Sequence, residues 1–420
     1  MNANKFSVPK TAAELGIGQG KDLPAEQRAD TSNWTLPPYN RWSFQRVQQF
    51  TRTVRVPRAD EPSLLEEKHE ELSHITFDDV SGEQSSIGDM LTRTYTDGFL
   101  VLHKGKILTE QYFNGMDRST LHLIMSCSKS LTSAVAGVYI DSGALNPSAL
   151  ITDYLPELAR SGVAGATVQH ALDMQVGVEF NEDYEDMGAD WARYEIATGW
   201  REEPKYDGPR DQLSFAETLR PGGAAHGSVF LYQSILTNVL GCCLERAAGE
   251  KFDTMLARHI WHPMGAEQDF VSVIDSSGTV SFEGGHNMCL RDFARFGRLI
   301  AQNGRHQDHQ LVPEQWLNNC RFPGPALVSA FADSEYDDEV KVLLCAGTDS
   351  KVTGAYHNQW WVKDPVQGIV MAIGVNGQML YIDPERDFVA AVLSSQPDHV
   401  DPNVWLSRIR AFETIAEIVC

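Results

Sequence analysis

Met125-Ser126-Cys127-Ser128-Lys129-Ser130 is the most informative stretch of this 420-residue chain. Its first serine and its lysine stand three residues apart, and residues at that spacing share one face of a helix. A helix N-terminus also offers free N–H groups and partial positive charge, which stabilise an oxyanion. The pattern therefore predicts that Ser126 is a nucleophile and that Lys129 activates it without a histidine.

The residues after Ser126 have helical periodicity. Apolar side chains recur at the spacing of a helix that buries one face, and these are Leu131, Ala134, Val135, Val138 and Tyr139. Because Gly143 is typical of a helix end, a helix is predicted over 126–142. An ordinary core helix with a serine cap explains this segment equally well. A second copy of the spacing, Ser7 and Lys10, lies in a polar tail and is attributed to chance.

Composition excludes several classes of protein. The net charge is −22, from 35 basic and 57 acidic residues, and 42% of the residues are hydrophobic. A surface this acidic repels nucleic-acid phosphates and anionic membranes. No apolar run is long enough to span a bilayer. No nucleic-acid and no membrane partner is therefore expected, and the length predicts two structural units around a large core.

Cysteine and histidine usage argues against disulfides and metals. The seven cysteines are scattered, odd in number and without a C-x-x-C pair, and the N-terminus has no apolar signal segment. These features predict a cytoplasmic protein with reduced thiols. The 13 histidines do not cluster at ligand spacing, so no metal and no cofactor is expected. The absence of G-x-S-x-G gives no support to an α/β-hydrolase.

Short apolar runs near both ends of the chain predict a sheet. Two of them, joined around Lys104-Gly105, favour a hairpin, and three more near the C-terminus favour antiparallel strands. The hairpin strands are Phe99–His103 and Ile107–Phe113, and the C-terminal strands are Gly368–Val375, Met379–Ile382 and Phe388–Ser394. An amphipathic helix is predicted over roughly 403–418.

The fold class predicted from this order is α/β (α+β), with an antiparallel sheet, flanking helices and an all-helical lobe. Residues 1–60 are predicted to form an extended arm, with Trp34, Trp42 and Phe44 as anchors. Residues 61–120 and 270–420 would form a discontinuous sheet domain, and residues 121–269 a mainly helical domain. The polar, aromatic-rich segment 181–215 is interpreted as a surface excursion. The active site is expected between the two domains, where ligands usually bind.

A helix-borne Ser-x-x-Lys between a hairpin and C-terminal strands resembles the penicillin-recognising serine hydrolases. The resemblance implies a β-lactamase/transpeptidase-like fold, with Ser126 as nucleophile and Lys129 as its base. Tyr232 matches the family tyrosine, and Ser234 replaces the usual asparagine; a buried core tyrosine is the alternative. The family's Lys-Thr-Gly strand looks like Ala372-Ile373-Gly374 here. The missing lysine argues against efficient β-lactam processing, and the retained glycine permits close approach.

The chain is similar, more narrowly, to the 6-aminohexanoate-dimer hydrolases, which are nylon-oligomer amidases with esterase relatives. The similarity runs from about Pro38 to the C-terminal helix. It rests on these stretches: Tyr95–Leu102, Met125–Ser130, Leu172–Gln175, Asn181–Tyr184, Gly284-Gly285, Arg291-Asp292 and Gln359–Trp361. Together they are specific for the family and less specific for the substrate.

This resemblance implies further site residues. The backbone N–H groups of Ser126 and Val375 would form an oxyanion hole. Tyr184 would meet the substrate amide and help its nitrogen leave. Trp200 and Trp361 would line the acyl pocket, although packing between lobes explains both tryptophans equally well.

Three positions depart from the family pattern. Glu195 stands where a family member presents a polar or acidic group to the substrate amine, and Glu283 occupies a pocket position that is often Asn, His or small. Asn376 stands where the dimer hydrolases can carry His. A carboxylate pair would favour a cationic amine end on the substrate, whereas solvation on an acidic surface is the alternative.

The sequence thus predicts a serine hydrolase that cleaves small linear amides, with 6-aminohexanoate oligomers as the expected substrate. A carboxylesterase with incidental amidase activity, a β-lactamase and a non-catalytic binding protein of the same fold are the alternatives. The expected partner is a small amide or ester substrate, and a homodimer is left open.

Overall fold

The computed structural model describes residues 8–334 and 354–420, so Ser7 of the second Ser-x-x-Lys copy lies outside the described residues. The strands are β1 (Thr53–Val56), β2 (Glu66–Glu67), β3 (Thr76–Asp78), β4 (Gln84–Ser86), β5 (Thr96–His103), β6 (Lys106–Tyr112), β7 (His122–Leu123), β8 (Val178–Glu179), β9 (Arg220–Pro221), β10 (Phe270–Val273), β11 (His286–Met288), β12 (Arg305–His306), β13 (His309–Gln310), β14 (Ala355–His357), β15 (Trp360–Asp364), β16 (Ile369–Gly374), β17 (Gln378–Asp383) and β18 (Phe388–Ser394).

Helices cover both faces of the sheet and build a separate lobe. They are α1 (Ala12–Leu15), α2 (Asn40–Ser43), α3 (Ile87–Arg93), α4 (Cys127–Asp141), α5 (Ile151–Tyr154), α6 (Val168–Leu172), α7 (Asp190–Ala197), α8 (Gln212–Ala216), α9 (Ser234–Ala248), α10 (Phe252–Leu256), α11 (Leu290–Ala301), α12 (Glu314–Arg321), α13 (Pro325–Ala332) and α14 (Pro402–Val419). In the lobe, α4, α5, α6 and α8 pack around α9. Within the described residues, no helix has the length and apolarity needed to cross a membrane.

The main sheet has eight strands in the order β14-β15-β16-β17-β18-β5-β6-β2. All its pairs are antiparallel except β2 with β6. Phe412 of α14 stacks on Phe99 on one face. Gly297 of α11 lies against Val389 and Leu380 on the other. Because both faces are covered, the central strands are apolar throughout rather than alternating.

A second sheet of four strands, in the order β1-β10-β11-β7, connects the N-terminal arm to the predicted nucleophile. Strand β1 belongs to the arm, and β7 ends three residues before Ser126. Between β7 and α4 the chain turns sharply, with Met125 at a left-handed φ of 47°. A non-glycine residue in that region stores strain, a feature that clusters at functional sites.

The predicted α/β fold, hairpin, C-terminal strands and helix after Ser126 are confirmed by these elements. Two expectations need correction. The described part of the arm is not simply extended, because it folds into α1, α2 and β1, with Trp34 and Phe44 fully buried and Trp42 half-buried. Segment 181–215 is not merely a surface excursion, because it contains α7 and buries Tyr194 and Trp200.

Candidate active site

Ser126 and Lys129 are in direct contact at the N-terminus of α4. Lys129 Nζ donates hydrogen bonds to Ser126 Oγ at 2.8 Å, to Ser234 Oγ at 3.0 Å and to the carbonyl oxygen of Glu283 at 2.8 Å. These three acceptors match the three N–H groups of an ammonium. When Lys129 loses a proton, its lone pair can accept the proton of the Ser126 hydroxyl.

The electrostatic environment of Lys129 favours a neutral amine. The side chain is 1% exposed, and burial lowers the pKa of Lys129 to about 8, against the opposing charges of Glu182 and Glu283. A lysine with a pKa near the working pH is matched to general-base chemistry. The predicted pair therefore has the geometry for serine activation, and the lowered pKa of Lys129 makes its neutral form accessible near pH 8.

Glu182 is a site residue that sequence reasoning did not assign. Its carboxylate accepts hydrogen bonds from the backbone N–H and the hydroxyl of Ser234, each at 2.5 Å, and from the Tyr184 hydroxyl at 2.6 Å. Since Ser234 begins α9, the carboxylate also caps that helix. Burial raises the pKa of Glu182, and the nearby Lys129 ammonium opposes that rise. Glu182 thus joins segment 181–215 to Lys129 through Ser234.

Tyr232 lies against Lys129. Lys129 Nζ is 5.1 Å from the centroid of its ring, which stacks on Trp361 at 5.4 Å. Trp361 packs among Phe230, Tyr232 and Tyr356. Neither Tyr232 nor Trp361 is among the described residues that line the adjoining cavity. The acyl-pocket role of Trp361 stays a prediction, and its aromatic contacts also fit the alternative of packing between lobes.

The cavity beside Ser126 has a volume of about 40 Å³. It collects most of the predicted site residues on one surface. Its described lining consists of Thr35, Met125, Ser126, Tyr184, Trp191, Glu195, Trp200, Ser234, Glu283, Gly284, Val375, Asn376 and His399.

The N-terminal arm forms part of this cavity. Thr35 lines it. The adjacent Trp34 stacks on Trp200 at 5.5 Å and donates its indole N–H to the Trp200 carbonyl at 2.8 Å. The Trp200 indole N–H in turn donates to Ser281 Oγ at 2.8 Å. The aromatic residues of the arm were the sequence signal that it packs against the enzyme. The sequence could not identify Trp200 as the partner, because it lies 166 residues from Trp34.

Glu195 and Glu283, the two carboxylates that differ from the family pattern, face the cavity rather than bulk solvent. Glu283 is 2% exposed, and its Oε1 accepts a hydrogen bond from Ser281 at 2.8 Å. Glu195 is mostly buried and lies 3.8 Å from Arg201. Burial raises the pKa of Glu195 to about 7 and also raises that of Glu283. Solvation on an acidic surface therefore does not describe either residue.

Tyr184 closes the cavity together with His399. Their rings stack at 5.2 Å, and Trp191 meets Tyr184 edge-on at 4.9 Å. The Tyr184 hydroxyl donates to Glu182 in this structure. Asn376 adopts a left-handed φ of 58°, and its backbone N–H donates to the carbonyl of His399 at 2.9 Å. The segments carrying Tyr184 and Asn376 are thus connected through His399.

The end of β16 lies directly against the turn that carries Ser126. A Cβ atom on Gly374 would lie 2.8 Å from the carbonyl oxygen of Ile124 and 2.9 Å from Met125 Cβ. Only a glycine allows this approach. It brings the backbone of Val375 beside Ser126 at the cavity wall, where two N–H donors can converge on one oxyanion.

Gly374→Ala is therefore expected to reduce kcat for ester and amide substrates about 100-fold, the loss typical of one displaced oxyanion donor. The added methyl group must push β16 away from Ile124. Gly223→Ala is the matched control, because a methyl group added there would meet no other atom within 4 Å. Steady-state kinetics check the prediction, and unchanged kcat in Gly374→Ala would contradict it.

Metal chemistry has no candidate site in the part of the chain that the structure describes. Residues 8–334 and 354–420 hold no group of three or more His, Cys, Asp or Glu side chains that could bind a metal ion. The chemistry available at the cavity is that of Ser126, Lys129 and the side chains around them.

Known proteins are similar to this chain over most of its length. Residues 90–411 match the family model described as Beta-lactamase. A 6-aminohexanoate-dimer hydrolase from Paenarthrobacter ureafaciens is 32% identical over 366 residues, which cover 87% of this chain and 88% of that protein.

Solved structures show the same fold. A Bacillus anthracis structure, assigned as a 6-aminohexanoate-dimer hydrolase, has a TM-score of 0.84 and 25% identity, covering 94% of this chain and 98% of that one. A family VIII carboxylesterase has a TM-score of 0.55 and 14% identity, covering 77% and 92%. The resemblance inferred from the sequence is confirmed: the chain belongs to the beta-lactamase family and is a serine hydrolase related to the 6-aminohexanoate-dimer hydrolases.

Proposed function

We propose that this enzyme cleaves small linear amides of the 6-aminohexanoate-oligomer type through an acyl-enzyme on Ser126. The observation that carries the proposal is the 2.8 Å hydrogen bond between buried Lys129 and Ser126 Oγ, at the wall of the cavity. The name of the Paenarthrobacter ureafaciens relative supports the choice of substrate.

In the acylation step, neutral Lys129 accepts the proton of the Ser126 hydroxyl as Oγ attacks the amide carbonyl carbon. The resulting oxyanion is bound by the backbone N–H groups of Ser126 and Val375. Losing one such donor costs about 3–4 kcal/mol in comparable sites. The position of Gly374 supports this arrangement, since it keeps β16 close to the nucleophile.

Breakdown of the tetrahedral intermediate requires a proton on the leaving nitrogen. Tyr232, beside the Lys129 amine, passes that proton on, and Tyr184 assists from the far side of the cavity. Tyr184 must then exchange its hydrogen bond to Glu182 for one to the substrate. Water hydrolyses the acyl-enzyme in the second half of the reaction, with Lys129 again as base.

The charges of the cavity support an amine-bearing substrate. Glu195 and Glu283 line it, and no Lys or Arg side chain does so within the described part of the chain. The strand that would carry a carboxylate-gripping lysine reads Ala372-Ile373-Gly374. Both features disfavour β-lactams and cell-wall peptides, which carry a carboxylate. The β-lactamase alternative is accordingly the weaker one.

A carboxylesterase with incidental amidase activity is the second candidate function. The same nucleophile, base and oxyanion donors serve esters, which need less help from a proton donor because an alkoxide leaves more readily than an amine anion.

The described cysteines, all free thiols and mostly buried, support a cytoplasmic location.

Parallel assays with linear 6-aminohexanoate dimer and a short-chain p-nitrophenyl ester test the proposal. The purified enzyme is expected to hydrolyse both, with the amide turned over at a rate comparable to that of the ester. Cleavage of the ester alone would overturn the amidase proposal and leave the esterase in its place. Chromogenic cephalosporin hydrolysis as fast as amide turnover would restore the β-lactamase alternative.

A further inference from the structure

One carboxylate oxygen in the cavity has no partner. Glu283 Oε2 is buried and accepts no hydrogen bond, whereas Oε1 of the same group is held by the Ser281 hydroxyl. Among the buried side-chain atoms of the described residues, it is the only carboxylate oxygen in this condition. An unsatisfied buried acceptor costs about 1–3 kcal/mol, and more when it is charged. Such a cost is recovered if a ligand supplies the missing donor.

The other two carboxylates at the site are already occupied. Glu182 accepts hydrogen bonds from Ser234 and Tyr184. Glu195 is paired with Arg201, at 3.8 Å. A substrate cation would have to compete with a protein partner at either of these groups. Glu283 Oε2 offers a vacant acceptor.

The position of Glu283 is fixed from behind by a chain of hydrogen bonds. The Trp200 indole N–H holds Ser281 Oγ, and the Ser281 hydroxyl holds Glu283 Oε1. The Glu283 backbone N–H also donates to Asn238 Oδ1 at 3.1 Å. A group held in this way binds without further loss of side-chain entropy.

Glu283 lies on the Trp200 side of the cavity. The next residue, Gly284, sits so close to Trp200 that an added Cβ would lie 3.3 Å from the indole ring. Tyr184, the proposed aid to the leaving group, is packed instead against His399 and Trp191. Because the family resemblance assigns Trp200 to the acyl pocket, a carboxylate beside Trp200 would meet the acyl part of a substrate whose carbonyl carbon is at Ser126.

We propose that Glu283 is the specificity-determining residue that binds the ammonium group of an aminoacyl substrate, selecting a linear acyl chain with a terminal amine over a neutral chain of equal length. This inference rests on the proposed function, because it concerns the acyl part of the same amide substrate. It assigns the binding of the substrate ammonium to Glu283 rather than to Glu195, the position suggested by family resemblance.

Two isosteric substrates test it: 6-aminohexanoyl p-nitroanilide and heptanoyl p-nitroanilide, which differ only by an ammonium in place of a methyl group. The wild-type enzyme is expected to prefer the aminoacyl compound. Glu283→Gln should lower that preference, measured as the ratio of the two kcat/KM values, about 30-fold, mainly through KM. Glu195→Gln should change it less, and Glu217→Gln, an exposed carboxylate, not at all.

The outcomes separate the two proposals. Equal losses of kcat/KM on both substrates in Glu283→Gln would overturn the assignment of Glu283 as the ammonium-binding residue. A larger loss of preference in Glu195→Gln than in Glu283→Gln would do the same. Failure of the wild-type enzyme to cleave either anilide would count against the amidase function instead.

A second experiment needs no variant: it measures how strongly an amine and an alcohol inhibit hydrolysis of heptanoyl p-nitroanilide by the wild-type enzyme. n-Pentylamine should inhibit far more strongly than 1-pentanol, and equal inhibition would contradict the assignment of Glu283.

Discussion

Ser126→Ala is expected to abolish turnover of both the 6-aminohexanoate dimer and the p-nitrophenyl ester. Loss of a serine nucleophile of this kind lowers kcat by about 10⁶-fold. The reason is structural: Ser126 is the hydroxyl that both lines the cavity and accepts a hydrogen bond from Lys129 at its own helix turn. Ser234 also accepts a hydrogen bond from Lys129, but its hydroxyl O–H donates to the Glu182 carboxylate.

Steady-state kinetics and labelling with a reactive fluorophosphonate probe measure this effect. The wild type should be labelled and the variant should not. Ser142→Ala is the matched control, since it removes an exposed serine at the opposite end of the same helix. Retention of wild-type activity in Ser126→Ala would sink the assignment of the nucleophile.

Lys129→Met is the second change expected to have a large effect, a reduction of kcat by about 10⁴-fold, the upper range for loss of a general base. Methionine nearly fills the space of the buried lysine stem without an amine, so the fold should persist. Removing Lys129 takes away the cation beside the buried carboxyl groups of Glu182 and Glu283, so a lower melting temperature is expected. A cooperative thermal melt that stays well above the assay temperature would show that activity was lost through chemistry.

The pH profile gives an independent signature of the same residue. Lys129 acts as a base only when neutral, and burial places its pKa at about 8. Wild-type kcat/KM should therefore rise as pH increases through about 8 and level off above it. The control variant Lys205→Met, which replaces an exposed lysine of segment 181–215, should show the same rise of kcat/KM with pH as the wild type. The same rising limb in Lys129→Met, or a wild-type profile that falls with pH, would show that another group is the base.

Local pattern and motif context predicted the helix after Ser126, its contact with Lys129 and the sheet strands. These features depend on residues close together in the chain. Glu182 escaped prediction because a carboxylate in an acidic segment is normally solvated. Its capping of α9 depends on a contact with Ser234, which lies 52 residues further along the chain. The place of Trp361 could not be decided from its motif alone, because its contacts with Tyr232 and Tyr356 join residues far apart in the chain.

The arm has a consequence for how this enzyme matures on the ribosome. It is translated before the residues that it contacts: Trp34 needs Trp200, and the Asn40 amide needs the carbonyl of Gln396, 356 residues later. Contacts of such long range form late in folding. The arm therefore completes its contacts only after Gln396 has been released, and a polypeptide arrested before residue 396 lacks a finished active site.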